Sequence, residues 1–63
     1  MINNEQELDV TLERIEKLRS QIVEIRRVET NPINYKASAS GFLAEIDRLQ
    51  LQVWDFLASP ASV

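Results

Sequence analysis

Apolar residues recur along the first half of the chain in alternating three- and four-residue steps. Leu8, Ile15 and Ile22 occupy one heptad position, and Thr11, Leu18 and Ile25 occupy the other. This spacing is the seam of a helix that packs along a neighbour, with Thr11 as its polar member. The same spacing resumes after a break and runs through Tyr35, Ala39, Phe42, Ile46, Leu49, Val53 and Phe56. The pattern predicts two long helices.

Local signals set their ends. Asn4 is suited to cap the first helix, with Glu7 three residues on reaching back in the manner of a capping box, and Asn3 is a competing cap. Neither glycine nor proline lies between Asn4 and Thr30, so the first helix is predicted over about residues 4–28, roughly 37 Å at 1.5 Å per residue. Proline cannot continue that helix and suits the first turn of the next, which makes 29–31 the turn and Asn31 the second cap. The second helix is predicted over about residues 32–58, before Ser59, Pro60 and a short C-terminal tail. Ser38, Ser40 and Gly41 lower helix propensity, so an alternative start has its cap at Ser38 or Ser40.

So short a connection makes the helices antiparallel neighbours. The intrachain seam is then Leu8, Ile15, Leu18, Ile22 and Ile25 facing Phe42, Ile46, Leu49, Val53 and Phe56. By equal height from the turn, Leu8 falls near Val53, Ile15 near Ile46 and Leu18 near Phe42. Large residues opposite Ala39 and Gly41 are expected to let the backbones approach near the turn.

Several large apolar residues lie off this seam. Leu12 flanks it on the first helix, and Leu43, Trp54 and Leu57 form a second stripe with Asp47 and Gln50 on the second; Val23 and Leu51 point farther round. A contiguous apolar patch marks an interface more often than scattered apolar residues do. Leu12, Leu43, Trp54 and Leu57 are therefore the expected oligomer interface. The alternative for Trp54 is to fold back across its own hairpin end.

Size sharpens that expectation. At 63 residues and 7.3 kDa, a compact fold exposes roughly 4,200 Å² and buries about 60% of the extended chain's surface, a marginal fraction. There is no cysteine to form disulfides and no histidine to complete the usual zinc sets. Oligomerisation is the remaining supplement, and a twofold pair of hairpins gives a four-helix bundle. The chain is thus expected to be all-α, an antiparallel two-helix hairpin that homodimerises. A content of 27% charged and 44% hydrophobic residues fits a folded domain. With no signal peptide or long apolar run, the expected location is the cytoplasm, with no membrane role.

Candidate chemistry is sparse. The ten acidic residues lie among basic ones on polar faces; Glu5 with Glu7 and Glu45 with Asp47 are two apart, which points them to different sides of a helix. Glu13 with Lys17, Glu16 with Arg19 and Glu24 with Arg27 are spaced for surface ion pairs. No catalytic, metal or cofactor site is expected, and the chain is read as non-enzymatic. Arg14, Arg19, Arg26 and Arg27 all fall on the first helix, and Arg19 and Arg26 share a heptad position. The net charge of −3 and the interrupting Glu13, Glu16 and Glu24 nevertheless disfavour nucleic acid as a partner.

The stretches MINNEQELDVTLERIEKL and GFLAEIDRLQLQVWDFL resemble the helical N-terminal hairpin that precedes the helix-turn-helix domain of HigA-like antitoxins, and small stand-alone bacterial helical-hairpin proteins. The likeness rests on Ile2, Asn4, Glu5, Leu8, Leu12, Ile15 and Leu18, then Leu43, Ile46, Leu49, Phe56 and Leu57. With no second domain after Val63, DNA reading is not expected to carry over. The resemblance implies a dimerising or partner-binding hairpin. The expected function is a protein-interaction module that pairs with itself, with another protein as a second expected partner. The alternative is an antitoxin-like or DNA-associated regulatory accessory protein.

Overall fold

The computed structural model describes residues 1–60 and is built of two helices, α1 (Glu5–Val28) and α2 (Pro32–Ala58). Residues 61–63, which fall in the predicted C-terminal tail, lie outside the described residues. No strand occurs among the described residues.

Each helix start is fixed by an asparagine. The Asn4 side chain accepts from the Glu7 N–H at 2.8 Å, and Glu7 returns the interaction one residue earlier than expected, its Oε1 accepting from the Asn3 N–H at 2.8 Å. Asn3 therefore completes the cap through its backbone and Asn4 is the capping residue. At α2 the Asn31 side chain accepts from Ile33 N–H at 2.9 Å and Asn34 N–H at 3.4 Å, with Pro32 in the first turn.

The turn is held from both sides. Glu29 donates its N–H to the Ile25 carbonyl at 2.9 Å, and its carboxylate accepts from the Asn31 N–H at 3.0 Å. This ties the end of α1 to the cap of α2 and reverses the chain over three residues. Helix α2 then continues unbroken through Ser38, Ser40 and Gly41. Ser40 donates its hydroxyl to the Ala37 carbonyl at 3.1 Å, a backbone bond that ordinary helix geometry accommodates.

The helices pack along the seam. Ile15, Leu18, Ile46 and Leu49 form the buried cluster, with Ile22, Phe42 and Val53 packed against it. Leu8 is buried toward the open end, and Ile25 and Phe56 are half-buried. Near the turn Ala39 is the most enclosed of the buried apolar residues among those described, 1% exposed. Gly41 does not share that role. A methyl group added there meets nothing within 4 Å, because Gly41 faces outward.

A two-helix layer has only one seam to close. The hairpin leaves 5251 Å² accessible, where a compact protein of its mass leaves roughly 4,200 Å². About 1,000 Å² more surface is therefore in water than a closed globule of this size exposes.

Candidate functional site

The two flanks of the hairpin differ in chemistry. One is polar and tied across the helices: Glu45 on α2 approaches Arg14 of α1 at 3.7 Å and is gripped by Arg48 of its own helix at 2.9 and 2.7 Å. Hydrogen bonding by Arg48, helped by the positive charges of Arg48 and Arg14, holds the Glu45 carboxyl below its ordinary range. The same pairing raises Arg48. Sequence spacing alone did not indicate this interhelix link, since Arg14 and Glu45 sit on different helices. Their signal is that each lies one residue before a seam position, where antiparallel helices bring equivalent rows together.

The opposite flank mixes exposed apolar side chains with charged ones. Leu12 from α1 and Trp54 and Leu57 from α2 line a shallow groove of about 450 Å³, with Glu16, Arg19 and Gln50 at its sides. Steps of seven residues from these groove positions extend the flank toward the turn. Leu43 lies seven before Gln50, Val23 seven after Glu16, and Ile33 three heptads before Trp54. Leu12, Val23, Ile33, Leu43, Trp54 and Leu57 are all exposed. These are six of the ten large hydrophobic side chains left in water among the described residues. The four expected interface residues thus stand open on this flank, and Trp54 does not fold back, being 69% exposed. Ile33 is an addition that the spacing of Leu43, Trp54 and Leu57 did not single out, and Val23, expected to point farther round with Leu51, falls on the flank instead, seven residues after Glu16.

All ten expected seam residues are buried or half-buried. Sequence reading missed Ile2, which is buried at the open end beside Phe56 and Gln52. An apolar residue just before a helix cap is the signal that could have found it, by analogy with a hydrophobic staple.

The polar positions are accounted for locally. Thr11 donates its hydroxyl to the Glu7 carbonyl at 2.8 Å, one turn back, at the edge of a recess lined also by Met1 and Gln52. Glu16 pairs with Arg19 at 3.6 Å and Glu24 with Arg27 at 3.2 Å. Glu13 and Lys17 do not pair; they line a shallow surface depression with Ser20 and Gln21. Among the described residues there is no group of three or more Asp, Glu, His or Cys positioned to hold a metal ion. No helix there is long and apolar enough to cross a membrane.

No protein-family model matches the chain, and neither the curated proteins nor the solved structures contain a significant match.

Proposed function

We propose that this chain is a small, non-catalytic self-association module whose apolar flank pairs with a second copy, giving a twofold-symmetric four-helix bundle. The observation that carries this reading is the one-sided concentration of exposed apolar residues: Leu12, Val23, Ile33, Leu43, Trp54 and Leu57 on one flank, against the Arg14–Glu45–Arg48 ion-pair network on the other. Burial of apolar surface, at ~25 cal/mol per Å², outweighs any of the exposed ion pairs, which contribute at most about 1 kcal/mol each. The excess exposed area of the lone hairpin supports the same reading.

The role of DNA-associated accessory protein has weaker support. Arg14, Arg19 and Arg27 are already paired with Glu45, Glu16 and Glu24, which leaves Arg26 as the arginine of α1 without an ion pair among the described residues. Phosphate neutralisation would have to displace those carboxylates.

Trp54 is the single tryptophan and reports on the flank directly. Its emission is expected to shift to shorter wavelength and to resist acrylamide quenching as protein concentration rises, while the melting temperature climbs in parallel. A solvent-exposed spectrum and a constant melting temperature across the concentration series would refute the proposal. Tight, salt-sensitive binding to duplex DNA would favour the accessory role instead.

A further inference from the structure

The apolar flank is also electrically divided along its length. On the half nearer the turn its charged positions are Arg26, Lys36 and Arg19, the last paired at mid-length with Glu16 of the other half at 3.6 Å, with no acid among them. On the half nearer the open end they are Glu5, Asp9, Glu16 and Asp47, with no base. Each of these residues is exposed, and each sits a whole number of heptads from Leu12, Glu16, Arg19, Gln50 or Trp54, or is itself one of the groove residues. The apolar residues divide in the same way, with Val23, Ile33 and Leu43 toward the turn and Leu12, Trp54 and Leu57 toward the open end.

From this division we infer that the partner, a second copy of this chain, docks with its turn at the opposite end of the bundle. The inference rests on the self-association proposed above and adds its orientation. With the twofold axis perpendicular to the helices, the basic turn half of one chain lies over the acidic open half of the other, twice. The Leu12–Trp54–Leu57 cluster of each chain then covers Val23, Ile33 and Leu43 of its partner. With both turns at one end, Arg19, Arg26 and Lys36 face the same charges at the same height, and the carboxylates do likewise. Charge complementarity of this kind fixes register and rejects wrong arrangements even where it adds little affinity. The flank is large enough for the purpose. Helices of about 40 Å in a layer about 15 Å wide offer on the order of 600 Å² per chain, near the lower edge of stable specific interfaces.

The chain contains no cysteine, so a single Thr30→Cys variant carries one spin label at the turn. Pulsed dipolar spectroscopy on the labelled dimer is expected to give a distance of about 40 Å or more, one helix length. A distance within about 20 Å, the spacing of neighbouring hairpins, would keep the dimer and overturn its orientation. Absence of dipolar coupling together with a monomer mass would overturn the self-association reading itself. As a second variant, Arg19→Glu with Arg26→Glu is expected to weaken association about tenfold at low salt by placing acid over acid. Unchanged or tighter association of that variant would overturn the opposed arrangement, in which acid would lie over acid.

Discussion

Replacement of Trp54 by alanine separates a covered flank from an exposed one. Trp54 is 69% exposed in the hairpin, so about 170 Å² of a side chain of about 250 Å² is open to water. Full coverage by a partner would be worth about 4 kcal/mol at ~25 cal/mol per Å², and coverage of half of it about 2 kcal/mol per chain. Twofold symmetry counts this twice, so Trp54→Ala should weaken the dimer by about 4 kcal/mol, a roughly 1,000-fold rise in dissociation constant. Leu51 is the matched control. It is 65% exposed but lies on the back of α2, away from both seam and flank, so Leu51→Ala should leave the dissociation constant within about threefold. The assay is sedimentation velocity over a dilution series, with circular dichroism to show that helix content is retained. Equal effects from the two substitutions, or none from either, would refute the assignment of this flank.

Other substitutions test the hairpin itself. Gly41→Ala should stabilise by about 0.5–1 kcal/mol, since the helix gains propensity and the added methyl meets nothing; thermal melts at fixed protein concentration check it. Asn31→Ala removes the acceptor for the Ile33 and Asn34 N–H groups and should cost about 1 kcal/mol in chemical denaturation. Leu49→Ala, in the buried cluster, should cost about 2–5 kcal/mol, enough to unfold much of a chain this small as judged by far-ultraviolet circular dichroism. The Glu45 carboxyl titrates below its ordinary value of 4.5. Its contribution is therefore complete above pH about 4.5 and is lost as pH falls through its lowered folded value. The melting-temperature difference between the wild type and Glu45→Gln should accordingly shrink as pH falls below 4.5.

The architecture was legible because its determinants are local and periodic. Heptad spacing from Leu8 to Ile25 and from Tyr35 to Phe56 placed the seam, and the Asn31–Pro32 pair placed the second start. The structure resolves the choice between Pro32 and the serines for a physical reason. Within a helix held by Ala39 and Phe42 on its packed side, exposed Ser38, Ser40 and Gly41 cost a few kcal/mol at most and do not delay it. What was not legible depends on features outside the periodic stretches or on pairing between them. Ile2 precedes the first cap and has no heptad partner in sequence. The Arg14–Glu45 link requires the helix register. Gly41 reads as a close-approach residue alongside Ala39, yet two steps along a helix turn a side chain by about 200°, enough to carry Gly41 to the outside. The flank was partly legible: Leu12, Leu43, Trp54 and Leu57 followed from spacing, whereas Val23 and Ile33 joined them only when the groove positions supplied a reference for counting heptads across both helices.

Whether a second copy covers this flank is decided by sedimentation equilibrium. From micromolar to several hundred micromolar protein, the mass should rise to twice 7.3 kDa and stop there. A mass that stays at 7.3 kDa throughout the range would contradict that coverage.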